Sequence, residues 1–218
     1  MFSMQAFHQQ YATRKSRVTI SGREFQFFLP ESLEPFMDAD DPMADFPLWA
    51  KMWEASALLA GHLAERRPRP GETLLEIGAG IGMVGIVAAA FGHQVTLTEY
   101  NPDALNFARA NAEANGCPQV RIEYLDWLEP AALPPFDLIV GSEVIYQAEM
   151  VPALLDLFKR YLASDGTILL ADQVRETGLH FWEAAQAVYQ VRARRHTMQS
   201  DTEKLHLVML ELTAKKRS

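Results

Sequence analysis

From Thr73 onward the apolar residues fall into short strand-length runs separated by longer stretches of helical period. TLLEI (73–77), QVTLT (94–98), VRIEY (120–124), FDLIVGS (136–142) and TILLA (167–171) predict strands. MVGIVAAAF (83–91), PDALNFARANAEAN (102–115), VPALLDLFKRYL (151–162) and residues 178–189 predict the helices between them. That alternation is the grammar of a parallel α/β sheet covered on both faces. Punctuation agrees: Gly92 and Gly116 follow predicted helix ends, and Pro102 and Pro152 stand where first helical turns begin. The pattern then changes. QVRARRHT (190–197) and LHLVMLELT (205–213) follow one another without a helix, which predicts an antiparallel strand pair at one edge of the sheet.

Upstream, RVTISGREFQFF (17–28) sets Ser21-Gly22 between two β-prone runs and predicts a hairpin. DADDPMADFP (38–47) reads as an acidic, proline-punctuated loop. PLWAKMWEASALLAGHLAERR (47–67) predicts a helix with Trp49 and Trp53 on one face. The expected organisation is therefore an N-terminal appendage, residues 1–46, followed by one main domain, 47–218, with a single core that 218 residues are ample to bury.

Composition narrows the partners. A formal net charge of -8 disfavours general nucleic-acid binding, which requires a basic surface, and favours basic or neutral substrates. The basic run RARRH (192–196) reads as a solvated strand end and AKKRS (214–218) as a solvated tail. With Cys117 as the only cysteine, no intrachain disulfide can form, and a reducing, cytoplasmic setting is expected. No apolar run has signal-peptide or membrane-spanning length, so no membrane partner is expected. His93, His180, His196 and His206 show no metal-ligand spacing, and no metal is expected. Nothing in the sequence fixes an oligomeric state.

The chemistry concentrates in LLEIGAGIGMVG (74–85). Gly78, Gly80, Gly82 and Gly85 lie between a predicted strand and helix, where missing side chains let a ligand approach the backbone. Two readings compete. From Gly80, GIGMVG satisfies G-x-G-x-x-G, and Glu99 follows 19 residues on, as a dinucleotide-binding oxidoreductase using NAD would require. From Glu76, the pattern is E-x-G-x-G-x-G. A carboxylate two residues before the first glycine opposes a pyrophosphate but attracts a cation, directly or through water, which favours the second reading.

That second pattern resembles motif I of the class I S-adenosylmethionine-dependent methyltransferases. The resemblance implies a Rossmann-like, doubly wound, mostly parallel seven-stranded sheet with a C-terminal antiparallel strand pair, and covers residues 71–172 closely. It implies S-adenosyl-L-methionine as cofactor and S-adenosyl-L-homocysteine as product. It also implies that Glu99 in TLTEYNPDAL holds ribose hydroxyls beside Asn101, and that Asp126 and Trp127 in YLDWLEP bracket the adenine.

After the fourth strand of the alternating series comes SEVIYQ, which puts Ser142, Glu143 and Tyr146 beside the reacting methyl. The turn lacks the prolines typical of base-amine methylation, and Cys117 lies too far away to serve as a nucleophile for base carbons. SEVIY resembles the Asp/Glu-x-x-Tyr motif of the seven-strand protein-lysine methyltransferases, and WEAS (53–56) resembles their tryptophan-containing segment before motif I; Glu143 departs from the commoner aspartate. The resemblance implies methylation of a protein lysine, with a small-molecule amine as the alternative and an arginine acceptor ranked lower. Glu143 and Tyr146 are then the expected catalytic residues, and Trp53 an expected cofactor wall. A degenerate, purely interacting module is the third class of reading; the intact glycine and acid set argues against it.

Overall fold

The computed structural model describes residues 2–41, 46–199 and 204–215. Nine strands and six α-helices are found among them: α1 (Met4–Gln10), β1 (Thr13–Ile20), β2 (Arg23–Pro30), α2 (Glu54–Glu65), β3 (Thr73–Glu76), α3 (Met83–Ala90), β4 (Gln94–Glu99), α4 (Pro102–Ala114), β5 (Arg121–Tyr124), β6 (Phe136–Ser142), α5 (Val151–Tyr161), β7 (Leu162–Gln173), α6 (Glu176–Val188), β8 (Tyr189–Gln199) and β9 (Lys204–Ala214). Seven strands form the main sheet in the order β5-β4-β3-β6-β7-β9-β8. The pairs among β3 to β7 are parallel, while β9 runs antiparallel to both β7 and β8. The expected doubly wound sheet with an antiparallel end is therefore present. Its last strand lies inside the pair, with β8 outermost.

Side-chain alternation explains the two covered faces. Leu74, Leu138 and Val140 join α2, α3 and α4 in one core, whereas Leu75, Ile77 and Ile139 join α5 and α6 in the other. Gly92 and Gly116 take positive φ after α3 and α4, and Pro102 opens α4, as the sequence punctuation predicts.

The N-terminal hairpin closes through Ser21 (φ 47°) and Gly22 (φ 79°), both left-handed as a two-residue turn requires. Helix α1, absent from the sequence reading, precedes it and buries Phe7 against Phe107 of α4. Among the described residues, strand β2 has no third strand beside it. Instead, Asn111 and Asn115 of α4 each pair with a β2 backbone: Phe28 N–H donates to Asn111 Oδ1 (2.6 Å) and Gln26 N–H to Asn115 Oδ1 (3.0 Å), while their Nδ2 groups donate back to the same residues' carbonyls. Four residues of helix rise about 6 Å and two residues of strand about 6.7 Å, so two carboxamides one turn apart can mimic a neighbouring strand.

One expectation is corrected. Residues 47–53 are not the start of a helix: Leu48–Ala50 form a short 3-10 turn, Lys51 (ψ 147°) and Trp53 (ψ 148°) are extended, and α2 begins at Glu54. Trp49 and Trp53 therefore do not share a helical face. Trp49 turns into the aromatic group of Phe36 and Phe107 (5.1 and 5.4 Å), and this burial outweighs the helical preference of the local sequence. Of the acidic loop, residues 42–45 lie outside the described residues, as do 216–218 of the expected tail; Lys215 donates to the Ala187 carbonyl of α6.

Candidate active site

The sheet's chain order reverses between β3 and β6. From β3 the chain winds outward to β4 and β5, then returns to β6 on the opposite side, leaving a crevice at the strands' carboxyl ends. Glu76, Glu99 and Ser142 end the three strands that border it.

The loop after β3 turns through Gly78, Gly80 and Gly82, with φ of 58°, 54° and 86°, a region costly for other residues. Crowding adds to that demand: a β-carbon at Gly78 would lie 3.2 Å from both the Trp127 ring and Val144, and one at Gly80 would lie 3.0 Å from the Trp49 carbonyl. Glu99 organises the loop from the next strand. Its Oε2 accepts from Gly80 N–H (2.8 Å), and its Oε1 from Tyr100 and Asn101 N–H (2.8 and 3.0 Å). A carboxylate offers about four lone-pair directions, so a direction remains for an outside hydroxyl. Burial raises the Glu99 pKa against the pull of these three donors.

Glu76 occupies an unexpected place. Its carboxylate lies beneath the loop, 1% exposed, with Oε2 accepting from Gly85 N–H (2.8 Å) in the first turns of α3. A β-carbon at residue 85 would sit 2.4 Å from that oxygen, which accounts for the fourth glycine. Burial, reinforced by the charge of Glu99, pushes the Glu76 pKa up to about 8 although the Gly85 bond opposes it. Any influence on a ligand therefore passes through the loop rather than by exposed contact.

The remaining cofactor-side residues divide. Trp127 packs its six-membered ring against Gly78, within the site. Asn101 is the N-cap of α4, its Oδ1 accepting from Asp103 and Ala104 N–H (2.9 and 3.1 Å). Asp126 caps its own turn through Leu128 N–H (2.8 Å). Trp53 donates its indole N–H to the Leu48 carbonyl (3.0 Å) and lies beneath the Lys51 ammonium (4.1 Å). Cys117 is buried, which pushes its thiol pKa up and away from a reactive thiolate.

On the acceptor side, Ser142 Oγ lies 2.8 Å from Ser56 Oγ, joining the end of β6 to the first turn of α2. Glu143 has a positive φ of 54°, strained for a residue with a side chain. Its N–H donates to the Ala171 carbonyl (2.9 Å), its Oε1 accepts from Gln173 N–H (3.2 Å), and its Oε2 lies 2.7 Å from Arg175 in a charge contact without hydrogen-bond alignment. Burial raises the Glu143 pKa, with Arg175 acting in the opposite direction. The pKa of the half-exposed Tyr146 phenol is also raised, first by desolvation and then by the charge of Glu99.

Four neighbours escaped the sequence reading. Asp172 at the end of β7 accepts from Ile145 N–H (3.1 Å), bracing the Glu143–Tyr146 turn; its position at a parallel strand's carboxyl end was a usable signal. Glu54 and Ser56 fall inside the quoted WEAS, where only the tryptophan drew notice. Arg175 gave no sequence signal. Among the described residues no group of acids, histidines or cysteines has the arrangement of a metal centre, and no helix is long and apolar enough to cross a membrane.

Comparison with known proteins adds independent findings. A family model described as lysine methyltransferase matches residues 43–187. The chain is 37% identical over 135 residues to the protein N-lysine methyltransferase METTL21A of Danio rerio, covering 58% of this chain and 61% of that protein. It is 35% identical over 111 residues to the histone-arginine methyltransferase METTL23 of Mus musculus, covering 48% and 44%. The match thus spans about three-fifths of the first of these relatives and less of the second. In structure it resembles the precorrin-6y C5,15-methyltransferase of Geobacter metallireducens GS-15, with a TM-score of 0.61, 18% identity, and coverage of 87% of this chain and 94% of that one.

Proposed function

The chain belongs to the lysine methyltransferase family, and from that premise we propose that it uses S-adenosyl-L-methionine to methylate a lysine side chain of a protein. One junction carries the reading. Val144, inside the Glu143-x-x-Tyr146 turn, packs against the backbone at both Gly78 and Gly141, so the acceptor turn and the glycine loop are walls of one crevice. Groups held by the two walls meet end to end, as in-line transfer needs.

The residues suit the cofactor. An acid at the end of β4 with a remaining lone-pair direction matches a ribose hydroxyl, and the glycine turn beside Trp127 matches a nucleoside lying against backbone and ring. When bound, S-adenosyl-L-methionine supplies an electrophilic methyl on a sulfonium. In this reading Gly78, Gly80 and Gly82 give close access to the backbone, Glu99 binds the ribose, and Asn101 holds the following turn. Asp126 and Trp127 border the adenine, while Ser142 and Trp53 border the methionine end. Glu76 keeps the loop's underside negative when ionised.

The acceptor ammonium must lose a proton before its lone pair can react. Exclusion of water lowers the pKa of the ammonium and so favours the loss, Glu143 orients the nitrogen and is the group that takes the proton, and Tyr146 closes the pocket wall. The new nitrogen–carbon bond forms as the carbon–sulfur bond breaks, with no covalent enzyme intermediate. The likeness to METTL23 favours one second reading, an arginine acceptor.

Two measurements test this. Calorimetry should give saturable adenosylhomocysteine binding; its absence, with NAD bound instead, refutes the cofactor. A cell lysate incubated with the protein and methyl-labelled cofactor should then yield methyl-lysine on hydrolysis of a labelled protein band. Methyl-arginine would select the second reading, and label confined to small metabolites would refute a protein substrate.

A further inference from the structure

Three carboxylates converge at the acceptor end with one arginine among them. Glu54 opens α2, whose first turn is pinned to β6 by the Ser56–Ser142 contact of 2.8 Å. Glu143 follows β6, and Asp172 is the penultimate residue of β7, the strand paired with β6. Glu54 Oε2 and Asp172 Oδ2 have no hydrogen-bond partner and almost no solvent contact, and the equally enclosed Glu143 Oε2 meets only the Arg175 charge contact. Asp172 is 3% exposed, so its orphaned oxygen cannot be a surface group awaiting water. A buried acceptor without a donor is costly, and native structures keep such groups where something else supplies the donor.

Charge points the same way. Arg175 lies 2.7 Å from Glu143 and also attracts Asp172, so one cation is shared between two of the acids, while among the described residues Glu54 makes no ion pair. Glu143 feels repulsion from Glu54, and Asp172 from Glu143, so the three act on one another as a group. A glutamate in a first helical turn is favourable for the helix alone, but that role does not require an oxygen shut away from water. A compact cation with several N–H donors would supply what these oxygens lack, and an alkylammonium, with three rotatable donors on one point charge, is such a group.

We propose that Glu54 is an acceptor-binding residue that, with Glu143 and Asp172, seats the ammonium of the target lysine and gives the pocket its preference for lysine over arginine. This rests on the methyltransferase reading above and extends it to a residue outside the Glu-x-x-Tyr turn. Glu54 contacts the incoming cation directly; Asp172 braces the turn at Ile145 and offers its unpartnered oxygen behind it.

The test uses the full chain saturated with adenosylhomocysteine, probed with n-butylammonium by ligand-observed NMR titration. The wild type should bind it saturably and prefer it to n-butylguanidinium. Glu54→Gln should weaken n-butylammonium by on the order of tenfold, the loss of one charge-assisted contact, with adenosylhomocysteine affinity unchanged. Asp172→Asn should also weaken it, which keeps the test decisive should the first variant misfold. Equal n-butylammonium affinity in wild type and Glu54→Gln, preference for n-butylguanidinium, or no saturable binding of n-butylammonium would each overturn the proposal. Failure of adenosylhomocysteine to bind would instead strike the methyltransferase reading, and is read in a separate step.

Discussion

Replacing Glu76 by glutamine should change the pH dependence of folding more than its size. In the native protein the carboxyl group is 1% exposed and its pKa is raised from 4.5 to about 8, chiefly by burial. Between those values the unfolded chain has released the proton that the native chain retains. The unfolded state then binds fewer protons, so this group's contribution to stability falls as pH rises from 4.5 to about 8. The slope is about 1.4 kcal/mol per pH unit, with a ceiling of roughly 5 kcal/mol across the window. Glutamine keeps a carbonyl for Gly85 N–H and does not titrate; burying its amide adds a cost that is constant with pH. Urea unfolding of both proteins at several pH values between 5 and 8 should therefore show the variant gaining on the wild type as pH rises. Glu99, Glu143 and Asp172 also titrate, but they are common to both proteins and largely cancel in the difference. Parallel stability curves would refute the assignment of a proton-holding carboxyl beneath the loop.

Three further perturbations probe the site. Gly85→Ala puts a methyl 2.4 Å from Glu76 Oε2 and should cost about 2–3 kcal/mol by thermal or urea unfolding; combined with Glu76→Ala, the loss should be smaller than the sum by at least about 1 kcal/mol. At the strained position 143, with φ of 54°, glycine should be more stable than alanine by about 1 kcal/mol in thermal melts while both variants lose methyl transfer. Glu99→Ala removes the acceptor for three backbone N–H groups and should weaken adenosylhomocysteine about 10–100-fold by calorimetry; an unchanged affinity would remove Glu99 from the cofactor site.

The chain's own pattern determined the doubly wound sheet, the antiparallel end, the hairpin turn at Ser21-Gly22 and the glycine loop. Each rests on local physics: alternation of apolar runs, punctuation by Gly and Pro, and left-handed backbone. Local pattern was silent or misleading where distant groups decide the outcome. Periodicity extended α2 back through Trp49, but packing on Phe36 and Phe107 drew that residue out of the helix. Sequence identified Glu76 as an acid before a glycine turn; only the fold put it under the loop against Gly85, because the direction of a side chain at a strand end depends on the helix packed above it. Residues 54 and 143 and the neighbouring pair 172 and 175 come from three separate segments, and no spacing along the chain relates the three. Their meeting follows from the strand order that sets β7 beside β6 and from the serine contact that ties α2 to the same edge, interactions that exist only once the sheet is assembled.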